Sequence, residues 1–503
     1  MQRTRAIAAL LWTLNGRSPL MPGVMPLHLT KGKTTMNMRP LFCFSLLSLL
    51  VLTTFSFGQT VPQTQRRRTG NIEAQVDAYV KPYSDMGGFS GVILIAKGEK
   101  VLLSKGYGMA NYELGVPNTR QTKFHIASVS KPFTAAAVLL LQERGLLSVS
   151  DPLTKYIADY PNGDKITVHH LLTHTSGIPN VNNLPEYEAK SKFPQTTSSL
   201  VELFKGKPLI MQPGERYNYS NSNYNLLAYI IEKVSGRSYG DFLKENIFDP
   251  LGMKNTGHDG NAGALLKNRA SGYSPVGLTG FENAPYLDWT SKTGNGSLYS
   301  TAEDLYKWDR ALYTEKPLKK STLERMFTPH VEGIGYGWFI SKRFDRKAIR
   351  ISGRSPGFNS ELQRYVDEDV CVIVLGNNYA PTASTIADDV AAITLGEKYE
   401  IPAIVKPITL APQMLDALVG RYEGGSDFFV PGVVLTLERK NGSLNLSWNS
   451  GAATPLVPQS DTKFFSRLLW AAVTFVRDEN GEVTHLLYSY GGKDYPAKKV
   501  RDK

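Results

Sequence analysis

The chain has 503 residues, of which 42% are hydrophobic and 20% charged, so it is long enough for two or three globular domains and is neither collagen-like nor disordered. Its formal charge of +12 suggests a nucleic-acid partner, but half of that charge lies in the first 58 residues. The rest forms no basic stripe interleaved with aromatic side chains, and we therefore expect no nucleic-acid partner.

Residues 36–58 have the pattern of a secretory signal peptide. Arg39 provides a positive charge, residues 41–57 form an apolar run rich in Leu and Phe, and Gly58 follows as a small residue. The run has 17 residues and is interrupted by Ser and Thr, which makes it short for a membrane span. We therefore predict an exported protein, periplasmic or secreted from a bacterial cell, with membrane association only if this segment is retained.

Two further segments precede the first predicted domain. Because a signal peptide normally begins a chain, residues 1–35 are interpreted as an extension foreign to the natural protein, with translation starting at Met36 or Met38. Residues 59–71 are polar and basic and are predicted to be a linker.

The pattern of residues 72–398 predicts an α+β domain. Pairs of β-rich runs near both of its ends predict hairpins, and two longer apolar runs predict buried helices. Strands at both ends with helices between them are typical of one antiparallel sheet with a helical insertion. The predicted strands are Phe89–Ala96, Lys100–Gly106, Leu362–Val366 and Val370–Leu375, and the predicted helices are Lys131–Gly145 and Ala383–Leu395.

Residues 412–503 differ from this domain in having only short alternating strands, and a proline-rich linker, residues 399–411, precedes them. Two Asn-Gly pairs, at 441–442 and 480–481, each lie between alternating runs. An Asn-Gly pair in that setting is a strong hairpin pattern. We therefore predict a separate small β-barrel or sandwich.

Residues 128–131, Ser-Val-Ser-Lys, form an S-x-x-K tetrad at the start of the first predicted helix. One helical turn separates Ser128 from Lys131, so the amine can take the proton of a nucleophilic hydroxyl. Free N–H groups at a helix N-terminus can stabilise an oxyanion. The tetrad alone is weak evidence, because a second copy, residues 460–463, lies in a loop-like stretch with no helix behind it and is interpreted as chance.

A phenol and an amide lie two residues apart in Tyr219-Ser220-Asn221. In an extended segment both side chains can point into one cleft. The phenol can then shuttle a proton, and the amide can bind a substrate carbonyl. A Y-x-N triplet is a common pattern, however, and residues 160–162 are another copy.

Together with their surroundings, these two motifs resemble the class C β-lactamase and D-alanyl-D-alanine carboxypeptidase family. The resemblance covers residues 75–397, and the copy at 160–162 falls outside the order of its segments. The resemblance implies that Ser128 attacks a carbonyl to form an acyl-enzyme. Lys131 and Tyr219 would share the proton transfers, with the identity of the base left open, and Asn221 would orient the substrate's amide. Further stretches that resemble the family are 168–177, 212–217, 250–253 and 296–301.

The family's third element, usually Lys-Thr-Gly or His-x-Gly, aligns with Ile351-Ser352-Gly353. The resemblance implies that Ser352, Gly353 and Arg354 bind the substrate, and that the backbone N–H of Arg354 forms an oxyanion hole with that of the nucleophile. Ile351 departs from the family pattern, because it replaces a cationic or hydrogen-bonding side chain beside the tyrosine. This departure argues against carboxylate-bearing substrates such as β-lactams and favours an esterase-like or peptidase-like hydrolase.

His169, His170 and His174 form a cluster in which the last two lie one helical turn apart, as zinc ligands can. No Glu lies between them and no further Cys or His set completes a site. We interpret His174 as a residue that satisfies backbone groups at a helix end, and we expect neither a metal nor another cofactor.

The last domain, with Leu-Val-Gly-Arg-Tyr-Glu at residues 418–423, resembles the small lipocalin-like barrel that follows some members of the family. The leading hypothesis for the whole chain is an exported serine hydrolase that acts through an acyl-enzyme on a small ester, amide or peptide. It would be an esterase, a D-amino-acid peptidase or a weak β-lactamase. The alternative is a catalytically silent, penicillin-binding-like sensor or ligand-binding protein. The sequence leaves the oligomeric state and the role of the barrel open.

Overall fold

The computed structural model describes residues 71–277, 280–428, 430–449, 453–490 and 492–500. The predicted extension, signal segment and most of the first linker lie outside these ranges. Within them, no helix has both the length and the apolar character needed to cross a membrane.

The larger folded unit is built on a six-stranded antiparallel sheet. Its strands are β1 (Gly91–Lys97), β2 (Lys100–Tyr107), β3 (Phe339–Arg343), β4 (Arg346–Ser355), β5 (Phe358–Tyr365) and β6 (Val370–Gly376). In space they follow the order β3-β4-β5-β6-β1-β2. The two predicted hairpins are β1–β2 and β5–β6, whereas β3 has no counterpart among the predicted strands and β4 is implied only by the family's third element.

Helices cover both faces of this sheet. The longer helices are α1 (Ile72–Asp85), α2 (Lys131–Glu143), α3 (Asn221–Ser235), α4 (Ala302–Ala311) and α5 (Ala383–Leu395). Because successive strand residues point to opposite faces, Ile93 and Ile95 of β1 pack with α1 and α5, while Val92 and Leu94 join the core of the helical insertion. The predicted α+β class is confirmed.

Short elements complete the insertion and its connections. The short helices are Ala127–Ser130, Leu153–Lys155, Val168–Leu172, Val181–Asn183, Tyr187–Lys190, Thr197–Glu202, Tyr239–Leu243, Lys244–Phe248, Trp289–Lys292, Lys320–Met326, Val331–Gly333 and Pro412–Asp416. The short strands are Met109–Asn111, Val116–Pro117, Phe124–His125, Gly257–His258, Tyr273–Val276, Gly280–Asn283 and Leu298–Ser300.

Helix α2 is the buried helix that carries the lysine of the tetrad. Pro132 occupies its first turn, where a missing N–H costs no hydrogen bond. Its Ala and Leu side chains pack in the core of the insertion, and all of them except the partly buried Leu140 are fully buried. The helix ends two residues before Gly145, whose φ of +71° is a left-handed conformation that glycine adopts without strain.

The C-terminal unit is a nearly closed nine-stranded antiparallel barrel, as predicted. Its strands in chain order are β7 (Gly420–Gly424), β8 (Val434–Lys440), β9 (Ser443–Trp448), β10 (Thr454–Pro455), β11 (Val457–Pro458), β12 (Lys463–Ser466), β13 (Ala471–Arg477), β14 (Val483–Tyr490) and β15 (Lys493–Val500). The sheet order is β10-β9-β8-β7-β15-β14-β13-β12-β11. The two edge strands, β10 and β11, are joined by Leu456 alone, so the edges of the sheet lie close together.

The barrel packs on the larger unit through Arg467 and Trp470. The guanidinium of Arg467 is buried and donates hydrogen bonds to the carbonyl oxygen of Met86 and to three carbonyl oxygens at the turn between the strands Tyr273–Val276 and Gly280–Asn283. The indole of Trp470 stacks on Tyr83 of α1 with ring centroids 5.0 Å apart.

Candidate active site

Ser128 lies in a short 3-10 turn, Ala127–Ser130, immediately before α2. The sequence places the tetrad at the start of a helix predicted to begin at Lys131, and Lys131 is the first residue of α2. Ala127 has a φ of +47°, a conformation that residues with a Cβ rarely adopt and that is often found at functional sites. The turn gives the Ser128 side chain a direction that a regular helix would not.

Three of the predicted side chains meet at the hydroxyl of Ser128. Its Oγ lies 2.9 Å from Nζ of Lys131 and 3.0 Å from Oη of Tyr219. Ser128 is 5% exposed and Lys131 is 1% exposed, so both groups are almost fully removed from water. Two groups that can transfer protons are therefore within hydrogen-bond distance of the nucleophile.

Lys131 has surroundings suited to a neutral amine. Besides Ser128, its Nζ contacts two oxygen acceptors, Oδ1 of Asn221 at 3.0 Å and the carbonyl oxygen of Asn295 at 2.8 Å. Burial, with a smaller effect from the charge of Lys292, lowers the pKa of Lys131 well below its usual value of 10.5. A neutral amine has two N–H groups and one lone pair, which match two oxygen acceptors and one serine hydroxyl.

Tyr219 is held as a protonated phenol. Burial raises its pKa well above 10.0, and the hydrogen bond to Ser128 opposes that shift only in part. The ring stacks on His174 with centroids 4.5 Å apart, and Nζ of Lys131 lies 5.0 Å from the ring centroid. Oη also donates to Oδ1 of Asn221 at 3.2 Å, so the phenol can pass a proton along the same group of atoms.

Asn221 is fixed by two asparagines that sequence reasoning missed. Its Nδ2 donates to Oδ1 of Asn182 at 2.7 Å, and its backbone N–H donates to Oδ1 of Asn180 at 3.1 Å. Nothing in the local sequence marks either residue, because both lie about 40 positions away. Asn295 was also missed, although it directly precedes the family-like stretch 296–301.

The strand that bears the third element presents a free edge beside Ser128. Pairing of β3 with β4 stops at Phe339 and Arg350, so among the described strands residues 351–355 of β4 are paired only with β5. A Cβ on Gly353 would lie 2.3 Å from the carbonyl oxygen of Ile126 and 3.0 Å from the backbone nitrogen of Ser128. Only glycine therefore allows β4 to approach the backbone of the nucleophile this closely.

A cleft opens at this edge. Ser128, Tyr219 and the predicted Ser352, Gly353 and Arg354 line it, together with an apolar wall formed by Phe339, Ile351, Pro381 and Ala383. The structure thus brings five of the seven predicted site residues to the lining of one cleft. The other two are connected to them by hydrogen bonds, Lys131 to Ser128 and Asn221 to Tyr219.

Neither nearby arginine replaces the charge that Ile351 lacks. The guanidinium of Arg354 donates to the carbonyl oxygen of Tyr379 at 2.6 Å and lies 4.0 Å from the centroid of its ring. Arg350 is paired with the buried carboxylate of Glu361 at 3.1 Å. Ile351 itself is 2% exposed and packs in the core of the insertion.

The three clustered histidines contact different partners. Nδ1 of His169 lies 2.8 Å from the hydroxyl of Tyr336, and Nδ1 of His170 accepts a hydrogen bond from the backbone N–H of Thr167, which precedes its helix. His174 accepts from the backbone N–H of Ser220 at 3.2 Å. The described residues contain no group of three or more His, Cys, Asp or Glu side chains that could hold a metal ion.

The second S-x-x-K copy has none of this geometry. Oγ of Ser460 accepts hydrogen bonds from the backbone N–H groups of Thr462 and Lys463. It therefore caps a tight turn of the barrel.

Comparison with known proteins identifies the family of the chain. The beta-lactamase family model matches residues 76–395, which is more than half of the chain. The chain belongs to the beta-lactamase family, whose members are serine hydrolases. The resemblance drawn from the motifs is thereby confirmed.

Relatives within this family include penicillin-binding proteins. Penicillin-binding protein 4* of Bacillus subtilis is 30% identical over 430 residues, which cover 81% of this chain and 94% of the relative. The octameric penicillin-binding protein homologue from Pyrococcus abyssi has a TM-score of 0.60 and 26% identity, over 86% of this chain and all of the other. A penicillin-binding protein from Bacillus halodurans has a TM-score of 0.55 and 29% identity, over 63% and 98% of the two chains.

Proposed function

We propose that the protein is an exported serine hydrolase in which Ser128 forms an acyl-enzyme with an ester or amide substrate. The observation that carries this proposal is the environment of Lys131. Its Nζ lies 2.9 Å from the Ser128 hydroxyl, and it also contacts two oxygen acceptors. Burial lowers the pKa of this amine, which favours the neutral form that can act as a base.

In this mechanism Lys131 takes the proton from Ser128 as its Oγ attacks the substrate carbonyl. The charge that develops on the carbonyl oxygen is stabilised by the backbone N–H groups of Ser128 and Arg354. Tyr219 then donates its phenol proton to the leaving group and regains one from Lys131. Asn221 accepts hydrogen bonds from both groups and keeps them aligned. Water then hydrolyses the acyl-enzyme, and the protons move between the same side chains in the reverse order.

The apolar wall at Ile351 favours substrates without a carboxylate next to the scissile bond. A β-lactam or a D-Ala-D-Ala peptide has such a carboxylate, and its burial without a cation is costly. We therefore propose esterase-like or peptidase-like activity with little turnover of β-lactams.

A catalytically silent sensor is the second candidate, and the loss of the cation at Ile351 favours it. The two candidates differ in deacylation. We expect a p-nitrophenyl ester to be turned over continuously by the wild type and at a strongly reduced rate by the Ser128→Ala variant, while Ser460→Ala serves as the matched control. Stoichiometric release of nitrophenol that stops after one equivalent would support the sensor and contradict the hydrolase.

Export is proposed from the signal-like segment 36–58, which lies outside the described residues. N-terminal sequencing of protein purified from the medium or periplasm should begin near Gln59. A mature N-terminus at Met1 or Met36 would contradict cleavage.

A further inference from the structure

A pocket separate from the cleft at Ser128 lies between the helix Lys320–Met326 and strands β4 and β5. Its volume is about 540 Å³, which falls in the range of small-molecule sites in proteins. It is lined by residues that follow α4, by that helix with the residues after it, and by Ile349 of β4 and Arg364 of β5. No described residue lines both this pocket and the cleft.

Most of the lining is apolar. Leu312, Leu323 and Ile349 are buried side chains that face the pocket, and Phe327 is half-buried beside them. Tyr313 is 40% exposed. Apolar side chains that border an open space of this size are left in contact with water, and an apolar ligand that fills the pocket would remove that contact.

The buried guanidinium of Arg364 also lies at this pocket. The side chain is 2% exposed, and its guanidinium carbon lies 4.7 Å from the ring centroid of Tyr313 and 5.4 Å from that of Phe327. Its Nε donates to Oδ1 of Asp309 at 2.6 Å, and its Nη2 donates to the carbonyl oxygen of Asp309 at 3.3 Å. In the described part of the chain Nη1 donates to no acceptor, and this nitrogen is not fully enclosed.

Such a donor needs an explanation, because buried polar groups are normally hydrogen-bonded. Asp309 does not neutralise Arg364 alone, since its second oxygen, Oδ2, accepts from Arg310 at 2.6 Å. One fully buried carboxylate therefore serves two guanidinium groups. Arg310 has another ion pair with Asp369 at 2.7 Å, but the Asp369 side chain is 45% exposed, so solvent screens its charge. The buried part of this cluster has an excess of positive charge, which favours an anionic ligand.

We propose that this pocket binds an apolar monocarboxylate, a molecule with an aliphatic or aryl body and one carboxylate group. The carboxylate accepts a charge-assisted hydrogen bond from Nη1 of Arg364, and the apolar body covers Leu323 and Phe327. A purely apolar ligand would leave the donor without an acceptor, and a small inorganic anion would leave the apolar lining in water. A ligand with both parts satisfies both. This binding site is independent of the proposed hydrolase activity.

The test is calorimetry on the full chain with two probes, octanoate and octanamide. The amide has the same aliphatic chain and a carbonyl oxygen but no charge. Both are titrated into wild type, Arg364→Met and Thr328→Trp. Thr328 is an exposed residue that lines the pocket, so a larger side chain there occupies the space without entering the core. The controls Arg325→Met and Ser321→Trp alter exposed residues of the helix Lys320–Met326 that do not line the pocket.

We expect the wild type to bind one octanoate per chain and to bind octanamide at least about tenfold more weakly, because the amide loses the charge-assisted hydrogen bond. Arg364→Met should weaken octanoate binding by a similar factor and leave the affinity for octanamide nearly unchanged. Thr328→Trp, shown to be folded by circular dichroism, should bind neither probe. The two controls should bind both probes as the wild type does.

Equal affinity of the wild type for the two probes would show that no cation recognises the ligand, and would overturn the proposal. Octanoate binding that persists in Thr328→Trp would place the anion elsewhere and would overturn it as well. A wild type without saturable binding would also contradict it, and is the result expected if a segment of this chain covers the pocket. If Arg364→Met does not fold, the comparison of the two probes together with Thr328→Trp decides.

Discussion

The amine of Lys131 is buried and contacts oxygen acceptors, and this environment predicts how the rate of the reaction depends on pH. Burial and the nearby Lys292 lower its pKa, and the amine is a base only when it is neutral. The value of kcat/KM for an activated ester should therefore rise with pH through this lowered pKa and reach a plateau well below pH 10.5. Tyr219, whose pKa is raised, stays protonated across the same range and remains able to donate.

The profile is measured with wild type and with Lys292→Met. Removal of the cationic neighbour raises the pKa of Lys131, so the rising limb should move to higher pH in the variant. A rise in kcat/KM that is centred near the pKa of an ordinary exposed lysine would show that Lys131 is not the base.

In the proposed mechanism, Ile351 disfavours a carboxylate next to the scissile bond. We predict measurable hydrolysis of short activated esters and poor hydrolysis of cephalosporins. Ile351→His should shift the ratio of kcat/KM values toward carboxylate-bearing substrates by about 1.5–3 kcal/mol if one charge-assisted hydrogen bond is gained. Ile351→Leu, which keeps the wall apolar, is the matched control. Efficient cephalosporin hydrolysis by the unmodified protein would contradict this prediction.

In the proposed mechanism, strand β4 provides an oxyanion donor from its backbone, and Gly353 allows the strand to approach Ser128 closely enough to do so. In Gly353→Ala the new Cβ would lie 2.3 Å from the carbonyl oxygen of Ile126 and 2.5 Å from Oγ of Ser360, so the strand must move away from Ser128. Loss of one oxyanion donor typically costs about 10²–10³ in kcat, and we expect a decrease of that order. Gly206→Ala is the control, since nothing lies within 4 Å of its added Cβ.

Elements that depend on neighbours in the chain could be predicted from the sequence. The β1–β2 hairpin turns at Gly98, with φ of +57°, and the β8–β9 hairpin turns at Asn441 and Gly442, with φ of +53° and +75°; glycine and asparagine favour such conformations. The helix Ala383–Leu395 was predicted with its observed bounds.

Elements and contacts that depend on distant partners could not be predicted. The strand Phe124–His125 pairs with Leu298–Ser300, more than 170 positions away, and its two residues carry no periodic pattern. The contacts of Asn182 and Asn295 with the reacting groups exist only because distant loops are folded together. For the tetrad and the triplet, the resemblance to a family supplied what local patterns lack, namely the order of several motifs.

The two units of the molecule are joined by a buried arginine, which makes their association testable. Arg467 is 4% exposed and donates to four carbonyl oxygens of the larger unit. Arg467→Ala should leave these acceptors unsatisfied and lower the free energy of unfolding by about 2–3 kcal/mol. Thermal unfolding measures this loss, and the linker 399–411 should become easier to cleave by protease.

Arg421→Ala is the control variant, because it alters an exposed barrel arginine with a 3.9 Å ion pair, and it should change neither property. An equal effect of both variants would contradict the role of Arg467 in joining the two units.

The barrel also approaches the active-site strand. Tyr488 and Tyr490 of β14 lie close enough to the guanidinium of Arg354 to oppose in part the lowering of its pKa that burial causes. Loosening the barrel should therefore affect substrate binding at β4 as well as stability, and KM of Arg467→Ala is the quantity that reports it.

Localisation of the covalent bond that a serine-directed probe forms tests the identity of the nucleophile most directly. The protein is treated with a fluorophosphonate, digested and analysed by mass spectrometry, with Ser128→Ala and Ser460→Ala treated in parallel. We predict one adduct, on the peptide that contains Ser128, present in wild type and Ser460→Ala and absent from a folded Ser128→Ala. An adduct on another residue, or labelling that persists in Ser128→Ala, would contradict Ser128 as the nucleophile.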